Sequence, residues 1–426
     1  MVKAVLAMMA IGGAAVGAPS SARETQTVKV ATESELQHAI GRLHSGTTIL
    51  LAPGVYRLTR TLTINGAFSD VVLRGASGKR DDVVLRGGGM TTPTRDTPHG
   101  IWIGGNVRNM TIADLTVRDV YEHAIVFNPG TQKPTVSNVH LVDAGAQFVK
   151  SNPSPSGGVA DGVVEKSLIE YTTTARSDYT NAVDVHTGTD WVIRDNVFRN
   201  ILGPPGTLAG PAVLVWNRSV NTTTERNTFV NCARAISYGL IEREGGRDHR
   251  GGVIKNNVIF RSRTHPGDVG ILVADSPDTK VLHNTVFLSG TYATPIEYRF
   301  SGSSNVVIVN NIVDGTIGRR DGATASERNT IERASATLFV DAIGGDLHLS
   351  PYATGAIDRG DRLSEVSDDF DGDRRPLGAG SDLGADEYRP SPVPVNDKGG
   401  KKAASRRSEG CVAKENVRNR DLTLAR

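Results

Sequence analysis

Lys150 stands in Gln147-Phe148-Val149-Lys150-Ser151-Asn152, and Asp184 and His186 stand in Ala182-Val183-Asp184-Val185-His186. Alternate side chains of an extended strand face opposite sides. With Val183 and Val185 inward, Asp184 and His186 point outward. The same register sends Leu214 and Trp216 outward from Ala212-Val213-Leu214-Val215-Trp216, and Glu297 and Arg299 outward from Pro295-Ile296-Glu297-Tyr298-Arg299. A lysine, a carboxylate, an imidazole and an indole along one groove fit two chemistries. In β-elimination a cation neutralises a carboxylate on a sugar ring, the neighbouring ring proton becomes more acidic, and a Lys, Arg or His removes it. Lys150 or His186 would be the base, and Arg176, Arg243 or Arg299 the neutraliser. In hydrolysis two carboxyl groups share the work, here Asp184 with Asp178, Glu242 or Glu297. C5-epimerisation starts with the same proton abstraction as elimination.

The walls of such a groove come from loops, the usual carriers of binding residues on a rigid scaffold. Asn152–Ala160 and Leu202–Gly210 are rich in Pro and Gly. Thr172–Asn181 contains Arg176, Asp178 and Tyr179, and Leu240–Arg250 is a charged insertion containing Glu242, Arg243 and His249. Trp216, Arg176, Glu242, Arg243, His249 and Glu297 are therefore candidate substrate contacts, and Lys150, His186, Asp184 and Arg299 candidate catalytic groups. Each has an ordinary alternative. Lys150 could be a solvated strand residue, Asp184 and His186 a plain hydrogen-bonded pair, and Glu297 and Arg299 a structural ion pair. An outward indole with no partner wastes apolar area, so Trp216 is the strongest binding candidate.

The elements that would place these residues repeat. An apolar-x-Asn pattern recurs in Trp191–Phe198, Thr223–Phe229, Val253–Ile259, Val281–Phe287 and Val307–Val313, with weaker copies at Asn109–Ile112, Val136–Val139 and Gly162–Glu165. Anchors at 196, 227, 257, 285 and 311 are 31, 30, 28 and 26 residues apart, as expected of one solenoid coil plus a variable loop. Each copy follows an upstream strand such as Gly100–Ile103, Ala124–Phe127, Ala235–Tyr238 or Gly270–Val273. Short strands separated by Gly, Asn and Asp turns bury a core only when the coils stack. Asn at one corner suits an internal ladder of side-chain amides that satisfies turn backbone. A leucine-rich horseshoe would need a fixed leucine pattern that this chain lacks. An all-β, right-handed parallel β-helix is expected.

The ends agree with this reading. Thr32-Glu33-Ser34-Glu35 is a capping-box start, and Leu36, Ile40 and Leu43 share one helical face, giving an N-terminal helix over the open first coil. Asp369–Pro376 and Asp382–Tyr388 form an Asp-rich close, which offers oxygen ligands for calcium but is more often a polar cap turn.

Composition limits the function classes. The 426 residues carry 48 Lys+Arg against 46 Asp+Glu, too balanced for a nucleic-acid binder. With 47 Gly and 5% aromatics, the chain suits many tight turns. Residues 1–22 read as a signal peptide, and their apolar run is shorter than a membrane span. A secreted or periplasmic monomer is expected. Residues 28–389 are expected to form the β-helix domain, and 390–426, which open with Pro390-Ser391-Pro392, a basic and disordered tail. Cys232 reads as a core residue, and Cys411 lies in the tail without a bridge to it.

Thr48-Ile49-Leu50-Leu51-Ala52-Pro53-Gly54-Val55-Tyr56 resembles the opening of pectate-lyase-like β-helix proteins, and the Asp-rich close resembles the end of secreted bacterial β-helix repeat proteins. The resemblance covers about residues 28 to 389. Phe148-Val149-Lys150-Ser151-Asn152, with His186-Thr187-Gly188 a coil later, is similar to the chondroitinase-B-type and alginate-lyase branch. That similarity implies Lys150 as base and His186 near the place of the assisting Arg. The branch has Arg-His-Gly where this chain has His186-Thr187-Gly188, and glutamate ligands to calcium where this chain has Asp143 and Gln147. The expected partner is an acidic polysaccharide. A glycan-binding or surface protein without catalysis is the alternative from another class.

Overall fold

The computed structural model describes residues 25–390. The signal-peptide segment 1–22, the tail from 391 and Cys411 lie outside them. Three parallel sheets of 12, 10 and 10 strands run side by side along one solenoid. Each strand pairs in parallel with its counterparts on the coils before and after, so residues some 19 to 39 positions apart in sequence become neighbours. Val149, Val183 and Val213 follow one another in one row, and Ser151, Val185 and Val215 in another.

The inward rows form one long core, which includes Val149, Val183, Val185, Val213, Val215 and Trp191. Alternation along each strand thus leaves Lys150, Asp184, His186 and Trp216 on the outer face of the same sheet.

The asparagine ladder is present and internal. Asn196, Asn227, Asn257 and Asn284 each donate through Nδ2 to the Oδ1 of the next member, at 3.0, 3.0, 2.9 and 3.0 Å, ending at Asn311. All five are buried. The fourth member is Asn284, one position before the anchor read from sequence, so the spacings are 31, 30, 27 and 27 residues. The residue before each member, Asp195, Arg226, Asn256, His283 or Asn310, takes a positive φ of 50 to 59°. Each coil therefore turns at a left-handed residue whose successor's side chain satisfies backbone on adjacent coils.

The helix Glu33–Ile40 starts with a full capping box between Thr32 and Glu35. It buries Leu36 and Ile40, and Leu43 follows them into the core at the open end. At the other end a second core joins Phe260, Phe287 and Ile312 of the coils to Phe339, Leu347, Leu349, Phe370 and Leu383. Arg375 is enclosed there, donating to Glu387 Oε1 at 2.7 Å and to the Asp382 and Gly384 carbonyls. Among the described residues no helix is long and apolar enough to cross a membrane. Cys232 is buried in the core.

Candidate active site

Three consecutive strands, Val149–Ser151, Val183–His186 and Val213–Trp216, carry the candidate site. Lys150 pairs with Asp184 and His186 with Trp216 across the ladder. Strands lie about 4.8 Å apart, so the four side chains occupy two strand spacings. Lys150 Nζ donates to Asp184 Oδ2 at 2.5 Å and lies 2.8 Å from His186 Nε2, which is 3.3 Å from the same Oδ2. The other carboxylate oxygen, Oδ1, accepts from Trp216 Nε1 at 3.0 Å. The His186 and Trp216 rings have centroids 4.7 Å apart. On the far side of the imidazole, Asn217 Nδ2 stands 3.3 Å from Nδ1.

Burial decides how these groups behave. Lys150 is 4% exposed and Asp184 2%. Burial alone would raise the Asp184 pKa, but the His186 hydrogen bond and the Lys150 charge outweigh it and hold the carboxyl below its ordinary value. Asp184 is thus an ionised anchor to which lysine, imidazole and indole are all fastened. The site meets solvent at half-buried Trp216, with His186 only 9% exposed beside it. Tyr179 supplies one wall, its ring centroid 5.9 Å from Lys150 Nζ.

Arg243 is the one of the three candidate neutralisers that reaches this opening, with its guanidinium 5.7 Å from the Trp216 ring centroid. Buried Asp248 places it. This carboxylate takes the Arg243 Nε–H, accepts from Asn217 N–H at 2.8 Å through the same oxygen, and accepts from Leu240 N–H at 2.7 Å and Ile241 N–H at 3.1 Å through the other. One side chain therefore fixes both the charged insertion and the turn that carries Asn217.

The remaining sequence candidates lie elsewhere. Arg176 packs 4.1 Å over the Tyr121 ring and pairs with Glu122 at 3.4 Å. Glu297 and Arg299 sit on the same face but four strands from Asp184 and His186, about 19 Å along the axis. They pair outside the site, with Arg320 at 3.1 Å and Asp321 at 2.8 Å. Glu242 is exposed on the insertion. His249 is wholly enclosed, bonded to Ser276 Oγ at 2.9 Å and packed 4.4 Å from the Tyr238 ring. Burial holds its pKa down to about 3, so it is a neutral core imidazole closed to a substrate.

Sequence reading passed over Asn217, Asp248 and His123. Asn217 follows Trp216 at a positive φ of 56°, a turn position that Asn favours, and this was the available signal. His123 is stacked on His99 at 5.2 Å and bonds the Gln147 carbonyl at 3.2 Å. Burial first, then the charges of His99 and Lys150, push its pKa down to about 3. No sequence pattern places it beside Lys150.

The Asp-rich close does not fit calcium. Both oxygens of Asp369 accept backbone N–H groups, from Asp371, Asp373 and Glu387, and both oxygens of Asp382 do likewise, from Asp358 and Tyr388. His348, Asp371 and Asp386 offer ligand atoms within 4.8 Å of one another. An imidazole in that set is foreign to a hard, oxygen-seeking ion. Upstream of Lys150, Asp143 is occupied by Thr172 N–H and Oγ1–H and by Thr173 N–H.

No curated protein sequence matches the chain. Among solved structures it is similar to an alginate lyase from Paenibacillus sp. str. FPU-7, with 16% identity and a TM-score of 0.45 over 72% of this chain and 99% of that one. It is similar to pectate lyase Pel9A, with 15% identity and a TM-score of 0.49 over 86% and 97%. It is also similar to an iota-carrageenase of family GH82 from A. fortis, with 10% identity and a TM-score of 0.42 over 73% and 88%. These likenesses concern the fold alone. Residues 181–337 match the family model described as right handed beta helix region, and the chain folds as a right-handed parallel β-helix.

Proposed function

We propose that the protein is an exported polysaccharide lyase that cleaves a uronate-containing polymer by β-elimination. One observation carries this reading: Lys150 Nζ and His186 Nε2 lie 2.8 Å apart on an ionised, buried Asp184. His186 accepts a proton from Lys150, and the resulting amine takes the proton from the ring carbon that bears the carboxylate. The electrons of that C–H bond form the ring double bond, the bond from the next carbon to the glycosidic oxygen breaks, and that oxygen takes the proton held by His186 as it leaves, which returns lysine and imidazole to their starting forms. Arg243 neutralises the substrate carboxylate, which stabilises the charge developing in the transition state. Trp216 carries the sugar face. The resemblance of Phe148–Asn152 and His186–Gly188 to the alginate-lyase branch supports the same assignment.

Hydrolysis is less well supported, because both oxygens of Asp184 face hydrogen-bond donors. A second reading draws on the near-complete burial of Lys150 and Asp184. In that reading the three groups are a structural network, and the face binds a glycan without cutting it. A panel of uronate and neutral polysaccharides separates these readings. Elimination gives ultraviolet-absorbing unsaturated ends, hydrolysis gives reducing ends without absorbance, and pure binding gives neither.

A further inference from the structure

The sheet that carries Lys150 continues toward the N-terminus. Thr63, Trp102, Val126 and Lys150 form one row across four adjacent strands. In the next row Asn65 pairs with Gly104, and Asn128 and Asn152 follow, with Asn152 Nδ2 donating to Asn128 Oδ1 at 2.9 Å. Continuing that register by one residue brings Asn152 opposite His186. A row of amides thus leads from the candidate base pair to a second outward indole.

Trp102 belongs to neither large core. Its ring lies over Gly104, where an added Cβ would fall 2.4 Å from Cη2. Glycine is what lets the indole lie down along the strand as a platform, and the ring stays half-buried. Beside it is an open cavity of about 390 Å³ lined by Arg60, Thr63, Asn65, Arg95, Asp96, His99 and Trp102. The loop that borders it is tied to the sheet, since Thr61 N–H donates to the Asp96 carbonyl at 2.8 Å and Thr61 Oγ1 to the His99 carbonyl at 2.9 Å. Arg60 donates only to the neutral Gln37, at 3.0 Å, and among the described residues neither Arg60 nor Arg95 forms an ion pair. Two guanidinium groups against one carboxylate leave the cavity cationic.

From the platform, the cations and the shared face, we infer that this cavity is a second sugar-binding position, for an acidic unit of a polymer whose reacting unit sits at Lys150. The apolar face of the ring rests on Trp102, and its carboxylate is held by Arg95 and Arg60, whose planar guanidinium groups match a carboxylate. Trp102 and Lys150 are two strands apart, about 10 Å, so the polymer runs along the solenoid axis. The substrate class rests on the reading under Proposed function.

The test is equilibrium binding of a galacturonate hexamer and a mannuronate hexamer to the Lys150→Gln, Asp184→Asn protein, which lacks the base and leaves no buried carboxylate unpaired. Adding Trp102→Ala or Arg95→Ala weakens binding of the preferred hexamer at least tenfold, and Arg95→Lys recovers part of the loss. Binding within twofold of the parent for both alanine variants, with their thermal midpoints unchanged, overturns the inference. If the hexamer binds and depends on Trp102 but the wild-type protein never cleaves it, the subsite stands and the lyase reading falls. If the wild-type protein cleaves it and the alanine variants bind like the parent, the subsite falls alone. Binding of neither hexamer to any form overturns both.

Discussion

Lys150 Nζ lies 2.8 Å from His186 Nε2, although 36 residues separate them in the chain. The parallel ladder joins them by setting Lys150 opposite Asp184, and Asp184 Oδ2 then touches both. A lysine next to an imidazole, both tied to one buried carboxylate, is the arrangement from which the proposed elimination follows.

Removing Lys150 leaves a buried carboxylate without its cation. Lys150→Met is expected to destabilise the fold by about 3–5 kcal/mol, the usual cost of breaking one side of a buried ion pair. Lys150→Met with Asp184→Asn recovers most of this, because no charge is left uncompensated and an amide still accepts from Trp216. Urea unfolding of the two variants checks it. A double variant no more stable than the single one contradicts the picture of an ionised Asp184.

Asp248 touches neither Lys150 nor His186 in this account, but it holds both Asn217 and Arg243. As a positioning residue it is expected to act through them. Asp248→Ala should lower kcat/KM on a uronate polymer at least tenfold, and Arg243→Ala by about a hundredfold, the scale of losing one electrostatic contact in a transition state. Arg243→Lys should restore part of the loss. Equal effects on binding of a neutral glycan would make the insertion a structural loop only.

The ladder predicts a local and large cost. Asn227 donates to Asn257 Oδ1 and to the Ile193 carbonyl, and its Oδ1 accepts from the backbone and side chain of Asn196. Asn227→Ala leaves several buried groups unsatisfied, each worth about 1–3 kcal/mol, so a total loss of about 3 kcal/mol or more is expected from denaturant unfolding. A loss under about 0.5 kcal/mol, the range of a neutral surface change, contradicts a ladder that supports the coils.

The C-terminal cap should weaken as pH rises. Burial pushes Asp386 up to about 7 from an ordinary 3.8, and Asp369 and Asp382 up to about 6. Between those values the folded protein keeps protons that the unfolded chain has released, so stability falls with rising pH across that window. Burial lowers His348, but its hydrogen bonds to Asp346 and Asp371 prevail and raise it to about 10 from 6.5. Its contribution is complete below 6.5 and lost as pH rises through about 10. Both slopes have the same sign. Asp386→Asn should flatten the fall in thermal midpoint between pH 4 and 7, and an unchanged slope would contradict the shift.

The solenoid was legible because its period is written in the chain. Val/Ile alternation and recurring Asn give coil, inward face and ladder at once, and only the fourth anchor was misplaced by a residue. Lys150, Asp184, His186 and Trp216 followed from alternation plus coil register. Of the loop residues, Arg243 and Tyr179 reach the site, while Arg176, Glu242 and His249 do not. Glu297 and Arg299 obey the same alternation, but alternation says which face a side chain takes and nothing of how far along the axis it sits. Their coil is four strands away. Leu240–Arg250 reads as a loop in the sequence, yet Ser219–Val220 pairs with His249–Arg250 and the His249 imidazole turns inward. Asp248 and His123 act through burial and backbone contacts, which leave no pattern in a single sequence.

The most direct test of the central claim is the mass balance of cleavage. A uronate oligomer of defined length is incubated with the protein, and all products are weighed by mass spectrometry. Elimination predicts fragment masses that sum to the substrate, with the unsaturated fragment lacking one water, and Lys150→Met should abolish them. Fragments that sum to the substrate plus one water would show hydrolysis and contradict proton abstraction by the Lys150–His186 pair.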